Sequence, residues 1–139
     1  MTEQTAPVDQ QEAGFTVETF AAFWAKPDLT DPTAAAPFAE DVVGYWPGTA
    51  EPVRGREEYV AALLELLERV PDLTLEVAES AREGENLFIR WIARATGENG
   101  PVEHSGIDRI KIRDGKVVEN RIYFDRPAFE RKLGKALDL

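Results

Sequence analysis

The sequence contains no cysteine and a single histidine, His104. Without cysteine the chain forms no disulfide, no thiolate metal site and no cysteine nucleophile, and one histidine cannot build a histidine metal cluster. We therefore expect no structural zinc and no other metal site. No apolar run approaches the roughly 18 residues that a membrane-spanning helix needs. We accordingly expect no membrane partner.

Positive charge is also scarce, because the chain has 26 acidic and only 16 basic residues and its formal net charge is -10. Such a charge repels phosphate backbones and anionic membrane surfaces, so we expect no nucleic-acid partner. The length of 139 residues fits one domain. Residues 1–13 are polar and show no segment of signal-peptide type. We predict a disordered acidic tail over 1–13, a single domain over 14–139 and a cytoplasmic location.

The hydrophobic pattern predicts helices followed by an antiparallel sheet. Helical spacing indicates a first helix from Phe15 to before Pro27, a short second helix from about Thr33 to Asp41, and a third helix over 56–70. Alternation indicates a short strand over 42–46, longer strands over 73–81, 87–95 and 102–113, and a last strand after Gly115. A terminal helix begins at Pro127, the type of residue favoured in a first turn.

The strand over 102–113 is the most informative, because its alternation puts ionisable groups on an apolar face. Successive side chains of a strand point to opposite faces. The inward set is Val102, His104, Gly106, Asp108, Ile110 and Ile112. A buried carboxylate is costly unless it is paired, hydrogen-bonded or protonated. Asp108 therefore points to a function, although pairing with Arg121 or with a backbone donor at the sheet edge is an alternative.

The last hairpin turns at Asp114-Gly115, a strong turn signal. A two-residue loop would mix the two faces of the sheet, so we predict a three-residue loop with Gly115 in the left-handed position. That register pairs Asp108 with Asn120 and His104 with Phe124.

Several short segments carry a family resemblance in their order and spacing. They are Phe38-Ala-Glu-Asp-Val-Val, Gly55-Arg-Glu-Glu-Tyr, Val70-Pro-Asp-Leu, Gly106-Ile-Asp-Arg-Ile, Asp114-Gly-Lys-Val-Val-Glu-Asn, Tyr123-Phe-Asp and Lys132-Leu-Gly. Together they resemble the SnoaL-like polyketide cyclase group of the nuclear transport factor 2-like (ketosteroid isomerase-like) superfamily. The resemblance implies an α+β, cone-shaped fold, in which about three N-terminal helices and a C-terminal helix accompany a strongly curved, mainly antiparallel sheet.

The resemblance also bears on the chemistry. Asp108 falls where ketosteroid isomerases place the aspartic acid of their oxyanion hole. However, Trp46 occupies the position of their general base, and Phe20 that of their tyrosine on the first helix. Isomerisation of steroids by their mechanism is therefore not expected. The cyclases imply instead one carboxylate acting as acid and base on an activated carbonyl compound, without cofactor or metal.

We accordingly predict a cofactor-independent acid/base enzyme of cyclase or isomerase type that acts on a small hydrophobic carbonyl compound. Asp108 is the predicted acid/base, and His104 and Asn120 orient the substrate or bind a developing oxyanion. For His104 a place at the rim of the sheet is an equal alternative, and we expect Asp125 to begin the last helix. The residues predicted to line the pocket are Phe20, Trp24, Trp46, Trp91, Ile110, Ile122 and Phe124.

Other functions fit the same fold. The pocket can hold a hydrophobic ligand without turnover, as Trp46 at the base position suggests, or the domain can serve only in dimerisation. Epoxide hydrolysis ranks lower, because it needs a second inward carboxylate that the sequence does not show. The outward sheet face mixes apolar residues with arginines, and we predict a homodimer through that face, with acidic residues covering the arginines. The outward residues are Phe88, Arg90, Ile92, Arg94, Ile107, Arg109, Arg121 and Tyr123.

Overall fold

The structure is a computed structural model, which describes residues 14–139. The tail predicted over 1–13 lies outside the described residues. The helices are α1 Val17–Ala25, a 3-10 helix Pro32–Ala35, α2 Arg56–Arg69 and α3 Arg126–Leu133. None of the helices in residues 14–139 has the length and apolar character needed to cross a bilayer.

Six strands form one open sheet in the order β2-β1-β6-β5-β4-β3. The strands are β1 Phe38–Tyr45, β2 Val53–Arg54, β3 Thr74–Glu83, β4 Asn86–Gly97, β5 Gly100–Arg113 and β6 Lys116–Tyr123. All neighbouring strands are antiparallel except β1 and β6, which run parallel. This mixed, curved sheet with helices against it confirms the predicted α+β cone.

Capping residues and turn residues fix the helix ends. The Thr16 side chain accepts a hydrogen bond from the Thr19 backbone N–H, and the Thr19 hydroxyl accepts one from the Thr16 N–H, which together make a capping box at the start of α1. At the other end of the chain, Gly134 closes α3 with φ 81°, a left-handed conformation that glycine adopts without strain. The apolar faces of α1 and α2 pack on the sheet and join its inner residues in one core.

The predicted second helix is wrong. Only a single 3-10 turn, Pro32–Ala35, forms there, and the segment from Phe38 onward belongs to β1. The Val117 backbone N–H donates to the Pro37 carbonyl at 2.8 Å, and Phe38 lies opposite Val117 in the β1–β6 ladder. Pairing with β6 therefore overrides the helix propensity of the alanine run.

The predicted register of the last hairpin is also wrong. The turn has two residues, Asp114 and Gly115, both with positive φ, as a type I′ turn requires. A β-bulge after the first pairs restores the face alternation, because Lys111 pairs with Glu119 while Ile112 pairs with Val117. Because a bulge leaves no mark in the hydrophobic pattern, the sequence disfavours the two-residue loop that the structure contains.

From Glu119 onward the bulge moves the pairing by two residues and keeps the side chains on their predicted faces, whereas Val117, before the bulge, lies opposite Ile112 and is buried instead of Val118. Asp108 lies opposite Ile122, and Asn120 lies opposite Ile110. Asn120 is therefore the diagonal neighbour of Asp108, a distance that side chains still bridge. Phe124 lies beyond the end of β6, although its ring remains next to that of His104.

Candidate functional site

A cavity of about 180 Å³ lies between the helices and the inner face of the sheet. Its wall is almost entirely apolar. The seven residues predicted to line a pocket all lie in this wall, namely Phe20, Trp24, Trp46, Trp91, Ile110, Ile122 and Phe124. Trp46 faces the cavity as predicted, whereas Tyr45 lies on the outer face with the Arg121 guanidinium 3.8 Å above its ring centre.

Asp108 is the one carboxylate among the described residues that line this cavity, and only 6% of its surface is exposed. The Trp91 indole N–H donates to its Oδ1 at 2.9 Å, and the Asn120 amide donates to its Oδ2 at 3.0 Å. Arg121 pairs instead with Glu119 on the outer face, so the alternative pairing of Asp108 with Arg121 is excluded. Asp108 is a buried carboxylate held by two neutral donors.

This environment changes the acidity of Asp108. Removal of the carboxylate from water raises its pKa from 3.8 to about 6, and the hydrogen bonds from Trp91 and Asn120 lower it only in part. The Asp108 carboxyl therefore exchanges its proton close to neutral pH, where a general acid or base is most useful.

The polar contacts continue from Asp108 to Tyr59, a residue of α2. The same amide nitrogen of Asn120 that donates to Asp108 also donates to the Tyr59 hydroxyl oxygen, at 2.9 Å. With Asp108 ionised, the reverse amide orientation would place Asn120 Oδ1 against the carboxylate, so the observed orientation is the favourable one. Burial raises the pKa of Tyr59 and keeps its hydroxyl protonated.

Tyr59 was missed as a site residue in the sequence. Its helical spacing places it in the apolar stripe of α2, a position typical of a core residue. The available signal was its hydroxyl, because a buried tyrosine normally finds a hydrogen-bond partner. Nothing in the sequence indicated that the partner would be Asn120.

Two glycines make room for the rings that carry this network. A Cβ on Gly106 would lie 2.5 Å from carbon atoms of the Trp91 ring, and a Cβ on Gly44 would lie 2.8 Å from the Tyr59 ring. Both distances are shorter than any normal contact. Glycine at these positions of β5 and β1 therefore allows the Trp91 and Tyr59 rings to approach the sheet closely, where they reach Asp108 and Asn120.

Two buried polar atoms at the cavity have no hydrogen-bond partner among the described residues. They are the Trp46 indole nitrogen and the Asn120 Oδ1. The Trp46 nitrogen lies 3.8 Å from the position of a Cβ on Gly44, and the edge of the Tyr59 ring lies 2.8 Å from the same position. The cavity therefore has one buried donor and one buried acceptor that no described residue pairs.

The structure does not bring His104 to this site. It lies four residues before Asp108 on β5, which is about 13 Å at the usual rise of a strand. Its ring stacks on Phe129 of α3, and its nitrogens contact the Asp125 carbonyl and the Lys132 ammonium group, each at 3.1 Å. Burial, followed by the nearby Lys132 charge, lowers the pKa of His104. His104 occupies the rim position that the sequence left as an alternative.

Asp125 lies where the sequence suggested. Its side chain accepts a hydrogen bond from the Ala128 N–H at 3.0 Å and caps the start of α3. This contact gives Asp125 a structural role outside the cavity.

Within residues 14–139 there is no group of three or more His, Asp or Glu side chains that could hold a metal ion. The cavity wall in the same range includes no lysine, arginine or histidine. What the site offers is one carboxylate with a raised pKa and neutral donors in an apolar enclosure. That combination suits proton transfer on an uncharged molecule.

Comparison with known proteins gives a family and a set of similar folds. Residues 17–120 match the family described as SnoaL-like domain. No curated protein matches the chain. Among solved structures, a protein with a ketosteroid isomerase-like fold from Catenulispora acidiphila, in complex with trimethylamine, has a TM-score of 0.74 at 14% identity. That alignment covers 88% of this chain and 95% of the other.

Two comparisons concern IdmH, a proposed polyketide cyclase from Streptomyces antibioticus. Wild-type IdmH has a TM-score of 0.70 and 24% identity, with 85% of this chain and 97% of IdmH covered. A loop-truncation variant of IdmH has a TM-score of 0.71 and 26% identity, with 85% of this chain and 98% of that chain covered.

Proposed function

Because the chain belongs to the family of SnoaL-like domains, we propose that it is a cofactor-independent acid/base enzyme of cyclase or isomerase type. Its substrate is a small hydrophobic carbonyl compound that binds in the cavity beside Asp108. The observation that carries this proposal is the burial of the Asp108 carboxylate in an apolar wall, with a pKa of about 6.

In the proposed reaction, the Asp108 carboxylate removes a proton from the carbon next to the substrate carbonyl, which leaves an enolate. The enolate carbon then attacks a second carbonyl of the same molecule and forms a carbon–carbon bond, or it is protonated at another carbon. The proton held by Asp108 returns to the product in either case, so the reaction needs no oxidant or reductant. Asn120 has a positioning role, because it holds the carboxylate by a hydrogen bond.

Proton removal is the step common to both reaction types, and it can be measured without the natural substrate. Acetophenone in D₂O at pH 7.5 exchanges its methyl protons for deuterium, which ¹H NMR records. We expect the protein to accelerate this exchange and Asp108→Asn to reduce the acceleration by about 100-fold or more. The control variant is Asp72→Asn, which changes an exposed carboxylate on the surface. It is expected to exchange like the wild type.

Exchange no faster than in buffer, while acetophenone is shown to bind, would contradict the enzyme and favour a ligand-binding module. Trp46 is the residue that favours this second candidate, because it occupies the position of the general base in ketosteroid isomerases. Epoxide hydrolysis has less support, since Asp108 is the one carboxylate among the described residues of the cavity wall.

We also propose that the chain forms a homodimer through the outer face of its sheet. Ile107 and Phe88 are each 41% exposed and Tyr123 is 54% exposed. They lie on three adjacent strands, because Ile107 pairs with both Arg90 and Tyr123. An apolar surface of this kind marks a contact site.

The charges around this apolar patch of Phe88, Ile107 and Tyr123 are already balanced within one chain. Arg90 binds Glu79 at 2.6 Å, and Arg94 binds Glu76 at 2.6 Å and Glu103 at 3.1 Å. Glu119 pairs with both Arg109 and Arg121, so four glutamates balance four arginines. These arginines therefore pair within the chain. They do not need the acidic residues of a partner that the sequence predicts as their cover. Two copies that each carry a charge of -10 repel least through a neutral apolar patch, which favours a second copy as the partner.

Sedimentation velocity tests the homodimer. We expect a dimer at micromolar concentration, and a monomer when Ile107→Glu introduces a charge into the patch. Leu64→Glu is the matched control, because Leu64 is 44% exposed on α2, away from the sheet. A wild-type monomer at 100 μM would contradict the proposal, as would a dimer that Ile107→Glu leaves intact.

A further inference from the structure

We infer that the ligand of the cavity is an uncharged molecule about one ring in size, whose acceptor oxygen receives a hydrogen bond from the Tyr59 hydroxyl. This inference rests on the proposed function, because it concerns the same cavity, and it specifies the class of substrate and the residue that selects it. Tyr59 thereby has a role in specificity that is separate from the proton transfer at Asp108.

The size of the ligand follows from the cavity. Its volume is about 180 Å³, and a cavity of about 150 Å³ lined by apolar side chains is known to hold benzene. One six-membered ring with a few attached atoms fills this space. A second ring requires the aromatic side chains of the wall to move, which close packing resists.

The charge of the ligand follows from the wall. No lysine, arginine or histidine lines the cavity within residues 14–139, so a bound carboxylate or phosphate would lie in an apolar enclosure without a counter-ion. Ionised Asp108 would repel it further. An anion in such a place loses far more hydration energy than it recovers. The site therefore selects an uncharged molecule.

The acceptor on the ligand follows from the donors. The Trp91 N–H is occupied by Asp108, and the two N–H bonds of the Asn120 amide are occupied by Asp108 and Tyr59. The Tyr59 oxygen accepts from Asn120, and its own hydrogen has no acceptor among residues 14–139. The Trp46 indole N–H, also at the cavity, has none either. A carbonyl oxygen supplies the acceptor that these buried donors lack.

The position of Tyr59 also suits the chemistry. A single nitrogen, that of the Asn120 amide, contacts both the Tyr59 hydroxyl and the Asp108 carboxylate. A carbonyl bound to the hydroxyl therefore has its neighbouring carbon close to the carboxylate that would remove the proton. The same hydrogen bond becomes stronger as negative charge develops on the carbonyl oxygen.

Binding measurements with three small molecules test this inference independently of turnover. Acetophenone carries the acceptor, ethylbenzene has nearly the same shape without it, and benzoate carries a charge. By isothermal titration calorimetry at pH 7.5, we expect acetophenone to bind about tenfold more tightly than ethylbenzene, because its oxygen satisfies a buried donor. We expect no measurable binding of benzoate.

The variant Tyr59→Phe removes only the hydroxyl. We expect it to reduce the preference for acetophenone to less than about twofold and to leave the affinity for ethylbenzene unchanged. The control is Tyr45→Phe, which removes a hydroxyl from the outer face and is expected to keep the full preference. The binding site of acetophenone is verified by competition with ethylbenzene.

Three results would overturn the inference: equal affinity of the wild type for acetophenone and ethylbenzene, a preference that survives in Tyr59→Phe, or measurable binding of benzoate. Absence of binding by both uncharged molecules at millimolar concentration would do the same. The wild-type comparison needs no variant, so the inference stays falsifiable even if Tyr59→Phe does not fold. A preference for acetophenone without deuterium exchange would contradict the proposed enzyme and support this inference.

Discussion

Asp108 and His104 lie on the same face of β5, four residues apart, yet their surroundings differ completely. Asp108 is enclosed in an apolar cavity and receives hydrogen bonds from two neutral donors, whereas His104 lies under α3 beside a lysine. Loss of hydration is the largest cause of the pKa shift at both, upward for the acid and downward for the base. Alternation along a strand therefore shows which side chains share a face. Only the tertiary structure shows which of those side chains lie in the cavity.

The largest effect on stability is expected from the ionisation of Asp108. Its pKa is about 6 in the folded protein against 3.8 when exposed. The folded state is therefore favoured most below pH 4, and this contribution is lost as the pH rises through about 6. The loss amounts to roughly 3 kcal/mol. Relative to the wild type, Asp108→Asn should gain about this much between pH 4 and pH 7 in urea denaturation.

The control for that experiment is Asp72→Asn, for which the expected sign is opposite. A hydrogen bond from the Thr96 hydroxyl lowers the pKa of Asp72, so its ionised form stabilises the fold above the unfolded pKa. The stability of Asp72→Asn relative to the wild type should then fall as the pH rises. If the difference between Asp108→Asn and the wild type did not change with pH, Asp108 would not be the desolvated group described above.

The next largest effect is expected from Gly106→Ala, which acts on the wall of the cavity. The added Cβ would lie 2.5 Å from the Trp91 ring and 2.7 Å from the Tyr123 carbonyl oxygen. Overpacking of this kind costs about 2 kcal/mol, and displacement of Trp91 removes a hydrogen bond that lowers the pKa of Asp108. We expect lower thermal stability together with a higher pKa of Asp108.

Ser105→Ala is the matched control for Gly106→Ala, because Ser105 is the neighbouring residue and its side chain is exposed. Its effect should stay within about 0.5 kcal/mol. Equal stability of the two variants would show that Trp91 does not depend on the close approach at Gly106.

A smaller effect on stability is expected near His104, from Asp125→Ala. This substitution removes the cap of α3, which should cost about 1 kcal/mol in thermal or urea denaturation. Deuterium exchange on acetophenone should remain as in the wild type. A loss of exchange without loss of stability would instead give Asp125 a part in the reaction.

The smallest effect is expected from His104→Gln. The pKa of His104 is lowered, so the folded state resists its protonation and stability is lost as the pH falls below about 6.5. The variant should lose this acid sensitivity and change the exchange rate at pH 7.5 by less than about twofold. A loss of exchange as large as that of Asp108→Asn would return His104 to the catalytic site.

Much of the site follows from alternation alone. The inward position of Asp108 and Asn120, and that of Trp46, depends only on the period of two in a strand. The register of β5 against β6 could not be predicted from alternation, because the hydrophobic pattern does not show the bulge after the Asp114-Gly115 turn. The error was harmless at Asp108 and Asn120, because the shift beyond the bulge is two residues and preserves the faces there.

The role of Tyr59 and the placement of His104 required the structure. Both depend on which helix covers which part of the sheet, a long-range property that local spacing does not contain. Tyr59 reaches Asn120 from α2, and α3 covers His104 with Phe129. The extension of β1 back to Phe38 has the same origin, because pairing with β6 prevailed over local propensity.

The most direct test of the central claim is the pKa of Asp108 itself, measured by carboxyl ¹³C NMR with Asp108→Asn for assignment. We predict a titration near pH 6, well above the roughly 3.9 of a free aspartate, because the carboxylate is buried among apolar side chains. A titration at or below the ordinary value would show that Asp108 is hydrated or paired, and it would contradict the assignment of this residue as the acid/base of the cavity.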